Sequence, residues 1–276
     1  MPKVSEGDRV VVVTGVGGMG LAVARRLGPG SRLLLADVSP SALGEAAEAL
    51  RLEGHDVVEQ ETDVSDVESV AALASAATEL GRVDVFVHTA GVSPVQASVD
   101  AILRVDLLGT ALVLDAFASA IAPGGAGVII ASMAGTMFSQ DPDLERRLAM
   151  TPTSTLLELP ELAEAAIANS GSAYGLAKRA NQLRVRAASV QWGRRRARVN
   201  SISPGVISTP MGAAELRGPS GEFMLSLVAG SGTGRLGTPD DIAAAAEFLI
   251  GSQASFITGT DLLVDGGVVA SLISPA

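Results

Sequence analysis

The chain has 276 residues, with 20 Lys and Arg against 30 Asp and Glu, a formal net charge of −10. That acidic balance repels phosphate backbones and sets nucleic acid aside as a partner, leaving the Arg194-Arg195-Arg196 run as a solvated helix end. With no Cys and only His55 and His88 as histidines, a disulfide framework, a thiolate metal site and a cysteine nucleophile are excluded, and no metal site is expected.

Short β-branched runs then alternate with Ala- and Leu-rich amphipathic runs. Residues 9–14 read as a strand, 18–27 as a helix and 32–36 as a second strand. Ser39 and Pro40 suit the N-cap and first position of a helix over 39–52, and a strand follows at 57–61. A helix over 66–80 stops at Gly81, and the pattern continues with a strand at 83–88, a long helix at 101–121 and a strand at 127–132. A second long helix at 173–192, a strand at 198–203, a helix at 238–250 and a strand at 261–264 complete it. Strict alternation of this kind predicts an α/β fold: one domain over 1–276, doubly wound, with a mostly parallel seven-stranded sheet and helices on both faces.

The uncharged stretch 116–140 is long enough to cross a bilayer, but Pro123-Gly124-Gly125 divides it into a helix end and a buried strand, so no membrane span is expected. Glu6, Asp8 and Arg9 interrupt the first ten positions, which therefore do not read as a secretory leader, and a cytoplasmic location is expected. Two connections are too long for such a fold. An insert around 136–171, with a helix expected over 160–169, and a Gly-, Pro- and Met-rich loop around 205–237 both leave the carboxyl ends of strands, where open α/β sheets bind ligands.

The first strand runs into Thr14-Gly15-Val16-Gly17-Gly18-Met19-Gly20 and then straight into a helix. Gly15, Gly17 and Gly20 have the spacing that gives a tight turn, a backbone open to a pyrophosphate and close helix packing, with Gly18 and Met19 in the same loop. Asp37 closes the second strand, 22 residues after Gly15, where a carboxylate accepts hydrogen bonds from ribose hydroxyls and repels a 2′-phosphate. NAD(H) is therefore favoured over NADP(H). Asp63, after the third strand, is read either as a contact to the adenine amino group or as an ordinary turn residue. Tyr174 is the only tyrosine, and Lys178 lies four residues on, on the same helical face. A nearby cation stabilises phenolate, which predicts a Tyr174 pKa drawn down toward neutrality and a role in moving a proton to or from a carbonyl or hydroxyl oxygen.

These motifs, together with Asp63-Val64, His88-Thr89-Ala90-Gly91, Ser132, Tyr174-Gly-Leu-Ala-Lys178, the segment Asn200 to Pro210 and Asp265-Gly266-Gly267, stand in the order seen in the short-chain dehydrogenase/reductase family, which the chain resembles over roughly 9–267. The resemblance implies a single-domain Rossmann fold in which Tyr174 exchanges the substrate proton, Ser132 orients the substrate oxygen, and Lys178 binds the nicotinamide ribose and lowers the Tyr174 pKa. It places Gly15, Gly17, Gly18, Met19, Gly20, Asp37, Asp63, Val64, Ala90 and Gly91 around the cofactor, with Pro204, Gly205, Val206 and Thr209 at its nicotinamide end.

There are three departures from the family pattern. The glycine loop is shorter, His88-Thr89 replace two asparagines, and Asp106 stands where an asparagine holds a water through its backbone carbonyl. Ser132 and Tyr174 are 42 residues apart, so the insert lies between the two, similar to bacterial hydroxysteroid dehydrogenase/carbonyl reductase members. It reads equally as a roof over the substrate pocket or as a subunit contact, since the resemblance implies a homodimer or homotetramer built on helices 101–121 and 173–192. Val92, Ser93, Pro94, Met133, Phe138, Met211 and Met224 are the candidate pocket wall. The expected reaction interconverts a secondary alcohol and a ketone on a small molecule, extending to bulky alicyclic or steroid-like substrates. A 3-oxoacyl thioester reductase and a catalytically silent dinucleotide sensor remain the alternatives. A nucleotide-dependent methyltransferase would have no need of Tyr174 or Lys178.

Overall fold

The computed structural model describes residues 9–273; the reading of the first positions as leaderless rests mainly on residues outside that range. Seven strands form one sheet in the order β3-β2-β1-β4-β5-β6-β7, and every neighbouring pair is parallel. They are β1 (Arg9–Thr14), β2 (Arg32–Asp37), β3 (Asp56–Glu61), β4 (Arg82–His88), β5 (Ala126–Ile130), β6 (Arg198–Pro204) and β7 (Asp261–Val264). The strand order reverses between β1 and β4, which opens a crevice at their carboxyl ends.

Alternate side chains divide the core between the two faces, so a run such as Val10 to Val13 is buried throughout. Val11, Val13, Leu33, Leu35, Val85 and Val87 face α1 (Gly18–Leu27), α2 (Pro40–Leu52) and α11 (Pro239–Ile250). Val10, Val12, Leu34 and Phe86 face α3 (Val67–Leu80), α5 (Thr110–Ala120) and α8 (Ser170–Gly193). On that side Phe86 stacks on Phe117 with ring centroids 3.8 Å apart. Trp192 is fully buried against Gly127, where a Cβ would fall 2.6 Å from the indole, and its Nε1 donates to the Leu114 carbonyl at 3.2 Å.

Local signals explain where the helices begin. Ser39 caps α2 by accepting from the Ala42 N–H, and Thr238 and Asp241 form a reciprocal capping box on α11. The helix read at 101–121 is three pieces: α4 (Val99–Ile102), a π-helical turn (Leu103–Gly109) and α5. Short helices α6 (Met133–Met137), α9 (Pro210–Leu216), α10 (Gly221–Ala229) and α12 (Val268–Ile273) surround the carboxyl end of the sheet. No helix among the described residues is long and apolar enough to cross a membrane.

The insert differs from expectation. Its helix is α7 (Pro142–Met150), started by Asp141 accepting from the Asp143 and Leu144 N–H groups with Pro142 at the first position, whereas 160–169 holds only two 3-10 turns, Pro160–Leu162 and Glu164–Ala166. Leu144, Leu148, Leu156 and Leu162 pack on Leu103, Leu107 and Ala111 and on Leu176, Ala180 and Leu183 of α8. The Arg184 guanidinium donates to the Leu148 and Thr151 carbonyls and to Thr153, satisfying the end of α7. The body of the insert therefore braces the outer helices, and only its ends reach the site.

Gly20 fixes how α1 meets β1. A Cβ there would lie 1.8 Å from the Gly15 carbonyl oxygen, which belongs to the backbone and has no rotamer to yield. We expect Gly20→Ala to lower unfolding stability by about 3 kcal/mol, read as a fall in the urea midpoint.

Candidate active site

The crevice is built first by backbone. Gly15 turns the chain with φ of +83°, and a Cβ on it would meet the Ala90 nitrogen at 2.5 Å. Thr89 ties the tips of the two strands: its N–H donates to the Thr14 carbonyl, and its hydroxyl lies within hydrogen-bonding distance of the Thr14 and Gly15 carbonyls. Gly17 is the N-cap of α1, has no side-chain cap and has nothing within 4 Å of where a Cβ would stand. Its open surface and the free N–H groups of α1 suit an anion, and Gly15, Gly17 and Gly20 show the tight turn, the open backbone and the close helix packing expected of that spacing despite the shorter loop. Gly18 packs on Thr209, bringing the glycine turn against the segment after β6.

Asp37 ends β2 beside this turn. Its two carboxylate oxygens accept from the Val16 and Ser39 N–H groups, each at 2.9 Å, which fixes the carboxylate against the glycine loop and leaves lone pairs able to accept further hydrogen bonds. Asp63 accepts from the Ser65 N–H and hydroxyl through Oδ1, forming a turn, while Val64 is buried against Gly109. Val206 also points away, into a cluster with Met133, Val228 and Val268.

A cavity of about 340 Å³ opens between Met19, Pro94, Ser132, Tyr174, Pro204, Gly205 and Thr209 on one side and α9 and α10 on the other. Ser132 is the N-cap of α6, so its Oγ accepts the Ala134 N–H at 3.1 Å and keeps its own proton to donate. Tyr174 stands on the first turns of α8, a helix begun by Asn169 accepting from the Ser172 N–H. Lys178 follows one turn later, its ammonium 5.4 Å from the Tyr174 ring centroid. Thr209 caps α9 through the Gly212 N–H.

Lys178 is paired directly with Asp106, Nζ to Oδ1 at 2.9 Å, and both side chains are buried. The π-helical turn carries Asp106 to this place, and the close approach is possible because Gly91 has no Cβ: one there would fall 2.5 Å from Asp106 Oδ1. The Asp106 backbone carbonyl is already taken by Asn181 Nδ2 and the Thr110 hydroxyl, at 2.9 and 2.8 Å. The expected water-holding carbonyl is thus replaced by a side chain that contacts the lysine itself. Burial pushes the Asp106 carboxyl above its usual range against the pull of Lys178. Burial lowers Lys178, but Asp106 and Tyr174 outweigh it and hold the lysine above its ordinary value.

The expectation of a Tyr174 pKa drawn toward neutrality is reversed. Burial raises the phenol first, Lys178 opposes it, and Asp106 and Glu215 add to the rise, so the net direction is upward. The Asp106 carboxylate cancels part of the cation that the Tyr174–Lys178 spacing offers. His88 is buried and neutral, pushed down to about 3 by desolvation with the Lys178 charge adding, and shares a 2.7 Å hydrogen bond with Thr14.

Pro94, Met133, Met211 and Met224 line the cavity. Val92 and Phe138 instead pack with the insert leucines, and Ser93 is wholly buried. Phe223, Leu227, Ile207 and Glu215 also line the wall, and sequence reading missed them. For Glu215 the signal was its i, i+4 spacing from Met211 in the long loop. Among the described residues, no three His, Asp or Glu side chains are grouped as metal ligands.

Two family models match the chain, one described as short chain dehydrogenase over residues 9–141 and one as Enoyl-(Acyl carrier protein) reductase over residues 144–269. The chain is similar to the short-chain dehydrogenase/reductase bsc3 of Alternaria brassicicola, 42% identical over 95% of this chain and 96% of that protein. It is 32% identical to a cis-4-hydroxycyclohexanecarboxylate dehydrogenase of Sinomonas cyclohexanicum, over 95% of this chain and 97% of the relative. The crystal structure of a levodione reductase superposes with a TM-score of 0.76 at 28% identity, covering 97% of this chain and all of the other. Matched in both halves and along nearly its whole length, this chain belongs to the short-chain dehydrogenase/reductase family and is an oxidoreductase acting on CH–OH donors with a nicotinamide dinucleotide.

Proposed function

We propose that the protein is an NAD(H)-dependent dehydrogenase that interconverts a secondary alcohol and a ketone on a cyclic, neutral substrate. The observation that carries this reading is one apolar cavity lined by Ser132 and Tyr174, with the Lys178–Asp106 pair behind the tyrosine. The nicotinamide supplies the acceptor or donor of hydride when bound. In the oxidative direction the Ser132 hydroxyl donates to the substrate oxygen, while Tyr174, as phenolate, takes the hydroxyl proton as the carbonyl forms. Lys178 holds the ribose and offsets the phenolate charge.

A cavity that must seat the nicotinamide end as well as the substrate favours a monocyclic alcohol over a steroid. A 3-oxoacyl thioester on an acidic carrier is disfavoured, because the only charged residue of the wall is the acidic Glu215. The reading includes a cytoplasmic location and a homodimer or homotetramer. The insert covers part of α5 and α8, so subunit contact would run over the insert itself or along the β7 side, where Phe248 and Phe256 are exposed. The test of function is nicotinamide reduction over a panel of cyclic alcohols. Saturable turnover is expected, and cofactor binding without turnover across the panel would favour the silent sensor.

Cofactor choice is assigned to Asp37. Asp37→Asn keeps an acceptor for Val16 or Ser39 but removes the charge that repels a 2′-phosphate. The ratio of NADPH to NADH dissociation constants is expected to fall by about tenfold or more, measured by calorimetry. An unchanged ratio would move cofactor selection elsewhere.

A further inference from the structure

We propose that Glu215 reads a second polar group of the substrate, accepting a hydrogen bond from a second hydroxyl on a neutral ring and turning away carboxylate-bearing analogues. The inference rests on the dehydrogenase reading above and names the substrate class for the same cavity. Glu215 lies on α9, one turn after Met211, and both side chains reach the cavity wall that Ser132 and Tyr174 also line. Every other residue of that wall is apolar, glycine or a neutral hydroxyl. The Glu215 side chain is half-buried and makes no hydrogen bond or ion pair with any described residue. Burial raises its carboxyl, with Lys178 as the opposing charge.

A carboxylate in this position is hydrated while the cavity is open. When a ring fills the cavity and water leaves, the carboxylate must find a donor or stay unpaired, and an unpaired buried acceptor is costly. A substrate with a second O–H supplies that donor. One with a bare ring edge leaves the group unsatisfied, and one with its own carboxylate sets two like charges together in a place of low dielectric. This separates the chain from the relative named for a hydroxycyclohexanecarboxylate, despite their shared fold and reaction class.

The test compares cyclohexanol, cis-1,4-cyclohexanediol and cis-4-hydroxycyclohexanecarboxylate with the parent protein, Glu215→Gln and Glu215→Ala. In the parent, kcat/KM for the diol is expected to exceed that for either of the others by about tenfold or more. Glu215→Ala should bring the diol-to-cyclohexanol ratio close to one. Glu215→Gln, which keeps an acceptor and loses the charge, should preserve that ratio while raising the relative use of the carboxylate by about tenfold. Calorimetric binding of the same compounds at saturating cofactor gives a second readout. If nothing is turned over but binding of the diol still depends on residue 215, the reaction assignment fails and this one stands. Ratios in both turnover and binding that ignore residue 215, or a cofactor dissociation constant that changes with it, overturn the proposal.

Discussion

Tyr174→Phe is expected to reduce kcat by about 10³-fold or more while NADH still binds with little loss. The change removes one oxygen and leaves the ring, so the packing at the start of α8 and the contact under the Lys178 ammonium persist. Only the group proposed to exchange the proton is lost. Single-turnover rates beside calorimetric cofactor binding separate the two quantities, and a variant with near-parental kcat would remove Tyr174 from the reaction. The parent should also show a definite pH dependence. Because Tyr174 sits above its ordinary value, alcohol oxidation, which needs phenolate, should rise through the alkaline range. Ketone reduction needs the protonated phenol and should fall through the same range.

Lys178→Met is the second large effect, and it acts on stability as well as on rate. It leaves Asp106, fully buried, without its cation, a loss of about 3–5 kcal/mol for a broken buried pair. Turnover falls with it, since nothing then offsets the Tyr174 phenolate. Adding Asp106→Asn should restore most of the unfolding free energy and none of the turnover, a double-mutant cycle that separates the structural pair from the chemical cation. Asp106→Asn alone should keep activity within about tenfold, because Asn181 and Thr110 continue to hold its backbone carbonyl. Its oxidation profile should move toward lower pH, since the carboxylate that raises Tyr174 is gone. Complete inactivation of Asp106→Asn would show that the carboxylate is indispensable to the reaction.

The strands, their order of use and most helices were legible because each carries its own signal. Val10 to Val13 can be buried on both sides only in a covered sheet, and Ser39-Pro40 announces a helix locally. Asp141-Pro142 carried the same kind of start signal, yet the helix of the insert was expected at 160–169, from the third of its prolines onward, and α7 was missed. The path of the insert over α8 was not legible at all: Leu144 and Leu148 show a face to bury, but only the fold says which surface receives it.

The candidate site was legible as a set of residues that the fold brings together, and not as electrostatics. Tyr174 and Lys178 four apart specify a shared face, yet whether the phenol rises or falls depends first on how much water the pocket excludes, and then on Asp106, sixty-eight positions before Tyr174, which works against Lys178. Glu215 was hidden for a related reason, since its meaning comes from an apolar wall drawn from six separate segments.

The chain holds one tryptophan and one tyrosine, and the fold has put them to different uses. Trp192 is sealed between sheet and helix, its N–H bonded to Leu114, while Tyr174 looks into the cavity. A phenol absorbs differently once ionised, so an ultraviolet titration of the native protein reads the charge on Tyr174 with no other tyrosine in the background. Indole emission reports separately whether the layer beneath it is intact. The protein thus carries two optical labels of its own, one for the proton in the site and one for the fold that holds it.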